Sequence, residues 1–172
     1  SGFDDLDKLT LGFKPSELII VAARPSMGKT AFVLNVAQNA AYYGKTAVAL
    51  FSLEMAKEQL VTRMLAAEGW VDAQKLRSGK LTDDDFRNLA KASGILGTLP
   101  IWIDDTPGLS ILEIRSRSRR LKSENNVGLI IIDYLQLIQG PADSESRQQE
   151  VSYISRSLKI LARELEVPVI CL

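Results

Sequence analysis

At 172 residues with 46% hydrophobic side chains, the chain is sized for one domain with a substantial core. Its 21 basic residues balance 21 acidic ones, which excludes a protein that coats nucleic acid through overall charge, so any such contact must be local. It contains no histidine, which removes histidine acid–base chemistry and the usual zinc sites, and the single Cys171 allows no internal disulfide; catalysis must draw on carboxylates, lysine or arginine.

No apolar run approaches the ~20 residues that span a bilayer, and no charged-then-apolar N-terminal signal is present, so a cytoplasmic protein with no membrane partner is expected. From Ser1 to Ser16, Phe3, Leu6 and Leu9 recur at a one-face helical spacing, and Gly12 and Pro15 then break it. A short lead-in helix is expected. The run Leu18 to Thr30, LIIVAARPSMGKT, follows as a strand feeding a small-residue loop. It meets the pattern G-x-x-x-x-G-K-[ST] from Ala23 to Thr30, with Ala23 in the first glycine's place.

This spacing is that of a phosphate cradle. Successive backbone amides from Ser26 and Met27 through Gly28, Lys29, Thr30 and Ala31 would wrap phosphate oxygens, and the next helix points its positive end at the same anion. Lys29 supplies a point charge to the β- and γ-phosphates, a catalytic as well as a binding role. Thr30 offers its hydroxyl to Mg²⁺, and Gly28 lets the backbone approach closely. The apolar strand before the loop and the amphipathic helix after it distinguish the pattern from a chance Gly-Lys-Thr.

Phe32, Val33, Val36, Ala37, Ala40 and Ala41 keep helical spacing until Gly44, and Thr46 to Phe51 reads as a second buried strand. Ser52-Leu53-Glu54-Met55 comes at that strand's C-terminal end, and Lys57 to Glu68 is helical again. Glu54 therefore stands where open α/β sheets place ligands. A nucleotidase needs a base or water-positioning group near the γ-phosphate, and with no histidine a carboxylate at a strand tip can supply it. Placement alone leaves a second reading open: a surface glutamate welcomed by a helix start.

Gly69 to Lys80 reads as irregular, and Thr82 with Asp83, Asp84 and Asp85 reads as a helix start rather than a metal cluster. Ile101 to Asp104 is a third strand and Asp105 to Gly108 a turn, after which Ser110 and Glu113 form a capping box for a helix reaching about Asn125. That helix carries Arg115, Arg117, Arg119, Arg120 and Lys122, a basic cluster open to two readings: a solvated or subunit-facing surface, or a phosphate or DNA contact. Leu129 to Ile132 ending in Asp133 has the form of a central parallel strand delivering one carboxylate, which in a nucleotide hydrolase holds Mg²⁺ opposite the loop hydroxyl. Gly140 to Glu145 is a polar loop. Ser146 and Gln149 suggest another capping box; Val151, Ile154, Leu158, Leu161, Ala162 and Leu165 share one helix face; Val167 to Leu172 is a last strand. Strands alternating with helices predict an α/β fold, a mostly parallel central sheet flanked by helices.

Taken together, ARPSMGKT, FSLEM, LIIIDYLQLI and RQQEVSYISRSLKILARELEVPVI resemble the RecA-like motor domain of bacterial DnaB-type replicative DNA helicases, over essentially the whole chain. The first and third phrases alone would mark many P-loop nucleotide hydrolases; SLEM, DYLQL and the RQQE helix are more specific. The resemblance implies a hexameric ring that hydrolyses ATP with Mg²⁺ to move 5′ to 3′ along single-stranded DNA. It matches Lys29 and Thr30 to the family's phosphate and magnesium ligands, Glu54 to its catalytic carboxylate, and Asp133 to its second metal residue. It further implies that residues 1–172 are the front portion of the motor. The primase-interacting N-terminal domain, the remaining DNA-binding loops and an arginine serving the neighbouring subunit would lie outside them, and primase and a helicase loader would be partners of the full-length protein. Its placement of the last strand is between the Leu18 and Leu129 strands. A strand-exchange recombinase and a nucleotide-gated assembly module are the other classes compatible with these motifs.

Overall fold

The computed structural model describes residues 1–24, 26–140 and 146–172. The chain divides into two structural units: Ser1–Glu54 together with Pro100–Leu172, and Met55–Leu99. The first holds helix α1 (Asp4–Thr10), strand β1 (Leu18–Ile20), α2 (Lys29–Tyr42) and β2 (Val48–Ser52). Beyond Pro100 it resumes with β3 (Ile101–Asp104), α6 (Ile111–Asn125), β4 (Leu129–Asp133), a 3-10 turn (Leu135–Leu137), α7 (Arg147–Leu165) and β5 (Val169–Cys171). The second unit is helical: α3 (Lys57–Glu68), α4 (Ala73–Ser78) and α5 (Asp83–Leu96), with α3 packed on α5. Among the described residues no helix is long and apolar enough to cross a membrane.

Among the described residues five strands pair in parallel, in the order β1-β5-β4-β2-β3. The last strand thus inserts between the Leu18 and Leu129 strands, as the resemblance implied. Side chains alternate across each strand, so one sequence feeds two cores. Ala49 and Phe51, Ile130 and Ile132, and Val169 and Cys171 face a cluster closed by Ile111 and Ile114 of α6 and Ile154, Leu158, Leu161 and Ala162 of α7. α2 packs with β2, β3 and β4, burying Val33, Leu34, Val36, Ala37 and Ala41. Ile130, Ile131 and Ile132 are each fully buried, each contributing about 1.5–3 kcal/mol by removal from water. That is why β4 reads as a continuous apolar run rather than an alternating one.

Several local expectations meet their physical cause. Thr82 caps α5, its hydroxyl accepting from Asp85 N–H at 3.2 Å while the Asp85 carboxylate accepts from Thr82 N–H at 2.9 Å. Asp84 pairs with Arg87 at 2.6 Å. The aspartate triplet occupies the first turn of α5, where negative charge complements the helix N-terminus. The Ser110/Glu113 box is present in both directions, and Ser146 supplies the hydroxyl-to-amide half of the box expected at α7.

Other expectations need correcting. Gly69 to Lys80 is not wholly irregular, because Asp72 caps α4 by accepting from Gln74 N–H at 2.6 Å and Gly79, at φ 69°, ends it. Both signals stand in the sequence, but six residues are too few for a periodicity to register. The one-face spacing of α1 does form a helix, yet α1 buries no residue: Phe3 stacks on Phe32 at 5.3 Å, and Leu9 stays 85% exposed. Residues 141–145 of the expected polar loop lie outside the described residues.

The basic cluster of α6 is largely turned inward on the chain's own acids. Arg115 and Arg119 both grip Glu164 of α7, and Arg117 donates to Asp104 at 2.6 Å and to Thr106 at 2.8 Å. Burial pushes the Asp104 carboxyl up, but the hydrogen bonds from Arg117 and Thr106 outweigh it and hold the group below its ordinary value. A carboxylate depressed in the folded state stabilises fully above its unfolded pKa of about 3.9 and loses that contribution as pH falls through the folded value. Arg117→Met is therefore expected to cost about 1–2 kcal/mol at pH 7, the size of a lost charged hydrogen bond. Urea midpoints of the two proteins should begin to converge as pH drops below about 4, the unfolded value, and meet once it has fallen through the lower folded value of Asp104; a gap that stays constant there would show that Arg117 acts through packing alone.

Candidate functional site

Parallel strands end on one edge of a sheet, and here that edge gathers the residues singled out by the sequence. Beyond β1, Ser26 (φ 64°) and Gly28 (φ 86°) both take left-handed backbone, and Pro25 of the motif lies outside the described residues. At Gly28 a Cβ would meet nothing within 4 Å, so glycine serves the turn's sign of φ rather than relieving crowding by this chain. Gly28 is the N-cap of α2, whose ladder opens with Phe32 N–H on Gly28 C=O at 2.9 Å. The amides of Lys29, Thr30 and Ala31 precede that bond and face the helix N-terminus, the arrangement that attracts an anion. Ser26, Met27 and Ala31 are exposed, whereas Lys29 and Thr30 are half-buried.

β4 delivers Asp133 to the same edge. The residue is 3% exposed, and Thr30 Oγ1 donates to Asp133 Oδ2 at 2.7 Å, joining residues 103 positions apart. The next peptide, Asp133–Tyr134, is cis. Lys29 Nζ stands over the Tyr134 ring, 5.7 Å from its centroid.

β2 brings its end alongside. Ser52 is the register partner of Asp133, and Leu53 N–H donates to Asp133 C=O at 2.7 Å. Glu54, two residues past Ser52, is exposed on this edge. β5 fills the gap between β1 and β4, with Cys171 opposite both Ile20 and Ile132. Burial, reinforced by the charge of Asp133, pushes the Cys171 thiol up to about 12, so it stays protonated and unreactive near neutrality.

The residues present fit a magnesium-bound nucleotide. Mg²⁺ takes hard oxygen ligands and is usually held by one or two protein groups, with phosphate and water completing its shell. A threonine hydroxyl and a carboxylate share this edge beside a helix N-terminus and a lysine. Two neighbours escaped sequence reasoning. Tyr134 was visible as the residue after Asp133 but carries no charge to draw notice, and Ser52, 1% exposed, is linked to Asp133 only through strand register.

A family model, the DnaB-like helicase C terminal domain, matches residues 1–172. The chain is 61% identical over 173 residues to the replicative DNA helicase DnaB of Geobacillus stearothermophilus and 60% identical to the replicative DNA helicase DnaC of Bacillus subtilis (strain 168). Both alignments cover 100% of this chain but 38% of the relative. Among solved structures, a DnaB-like replicative helicase described with its interactions with primase superposes with a TM-score of 0.95 at 40% identity, over 100% of this chain and 42% of that one. A second solved structure, of an ATPase domain, superposes with a TM-score of 0.94 at 39% identity, over 99% of this chain and 61% of that one. The sheet is thus of the RecA-like kind. With the match running the whole length of the chain, it belongs to the DnaB-like helicase C-terminal domain family.

Proposed function

We propose that residues 1–172 form the front portion of the ATP-hydrolysing motor domain of a replicative DNA helicase. The single observation that carries this reading is the Thr30–Asp133 hydrogen bond at 2.7 Å, which sets the loop hydroxyl and the strand-end carboxylate at one point, as a nucleotide-bound magnesium ion requires. The relatives' names support the helicase assignment, and the 38% coverage supports reading the chain as one part of a longer protein.

In this reading the amides of Ser26, Met27, Gly28, Lys29, Thr30 and Ala31 bind phosphate oxygens, and Lys29 adds its charge where negative charge develops during transfer. Thr30 and Asp133 would hold Mg²⁺. When bound, Mg²⁺ neutralises charge on the β- and γ-phosphates. Glu54 orients the attacking water and accepts its proton, the base a chain without histidine must find among its carboxylates. In the full-length protein, subunits assemble as a hexamer around single-stranded DNA in the cytoplasm at the replication fork, moving 5′ to 3′. Primase and a loader are its partners, the former suggested by the primase interactions described for a structural relative.

Two substitutions in the full-length protein test this mechanism. Lys29→Ala should abolish ATP hydrolysis, a loss of at least ~100-fold from removal of a charge contact in a shielded site. Near-normal turnover would sink the assignment. Glu54→Gln should leave nucleotide affinity largely intact while lowering kcat at least ~100-fold, the effect of losing a general base. Parallel measurement of nucleotide binding and steady-state hydrolysis checks this, and an equal loss of both would make Glu54 structural.

A further inference from the structure

We propose that Tyr134 is a positioning residue for Lys29, an inference that rests on the nucleotide site described above. The ammonium lies 5.7 Å from the ring centroid, inside the ~6 Å within which the electron-rich face of an aromatic ring attracts a cation. This contact has a twin. Thr30, the next residue of α2, donates to Asp133, the preceding residue of β4's end. Two consecutive residues opening α2 therefore meet the last residue of β4 and the residue just after it, Thr30 with Asp133 and Lys29 with Tyr134.

The lysine's half of this pairing is the more demanding. A lysine has a long unbranched stem, among the costliest side chains to order. Lys29 and Tyr134 are both half-buried, so the ring meets the ammonium at a partly desolvated place. The chemistry of the partner matters as much as its position. A carboxylate there would neutralise the ammonium and would have to be displaced before a phosphate could bind. An aromatic face has no net charge, so it orients the ammonium and leaves its charge available. The role belongs to the ring rather than to the hydroxyl, which separates Tyr134→Phe from Tyr134→Leu.

Equilibrium titration of the full-length protein with fluorescent derivatives of ATP and ADP in the presence of Mg²⁺ tests the proposal. Tyr134→Phe should bind the triphosphate like the wild type, whereas Tyr134→Leu should bind it about 3- to 10-fold more weakly, the effect of losing one cation–ring contact. Its effect on the diphosphate should be smaller, since Lys29 serves the β- and γ-phosphates. In a Lys29→Ala background, Tyr134→Leu should weaken binding no further, because the residue acts through the lysine. Unchanged affinity in Tyr134→Leu, a Phe variant as impaired as the Leu variant, or equal losses in both backgrounds would overturn the role. The Phe-against-Leu comparison decides the matter where Lys29→Ala binds too weakly to titrate. Failure of the underlying site is distinguishable: Lys29→Ala would then bind triphosphate as tightly as the wild type.

Discussion

The candidate site depends on β5 lying between β1 and β4. This three-residue strand is fully buried, and its neighbours hold it on both sides: Val21 N–H donates to Cys171 C=O at 3.0 Å, and Leu172 N–H donates to Ile132 C=O at 3.0 Å. Leu135 N–H then closes on Leu172 C=O at 2.8 Å, which ties the chain just past Asp133 to the same strand. In that slot β5 sets the spacing between the strand that feeds the Thr30 loop and the strand that carries Asp133. Their 2.7 Å contact is the consequence of a spacing set elsewhere.

That spacing is in turn secured by α7. Ile154, Leu158, Leu161 and Ala162 are fully buried against the sheet, and the helix feeds directly into β5. α6 braces it through Arg115 and Arg119 on Glu164, whose carboxyl is held below its ordinary value chiefly by the Arg119 hydrogen bond. Exposed ion pairs of this kind contribute little to stability, so their value is orientation of two helices. The buried apolar faces supply the energy. Packing thus fixes the strand, the strand fixes the loop-to-carboxylate distance, and that distance suits the chemistry.

Chemistry on this edge must work without imidazole. The side chains gathered there include Lys29, Thr30, Asp133, Glu54 and Tyr134, and they differ in environment. Asp133 is buried and held, fit for a fixed electrostatic role, while Glu54 is exposed, free to meet water and substrate. The thiol of Cys171, next to Asp133 in space, is kept out of the chemistry by burial. This difference in environment between the two carboxylates arises from where each strand stops.

How much of this was legible beforehand follows from the range of each interaction. Local chemistry reads directly: the Gly28-Lys29-Thr30 turn, the Ser110 and Thr82 caps and the Ile-rich run before Asp133 depend on residues within a few positions of one another. The partners of Arg115, Arg117 and Arg119 were not legible, since a guanidinium in a helix announces its charge but not which distant carboxylate will meet it. The exposed Leu9 of α1 was likewise invisible, because periodicity marks a face without saying whether anything covers it. By itself the sequence determined the element types, the loop that can cradle an anion and the carboxylates at strand ends, all consequences of local backbone preference and side-chain period. Only the tertiary structure decided that Thr30 touches Asp133, that Lys29 rests over Tyr134 and that Ser52 lies beside them, because strand order and register join residues that no local interaction connects.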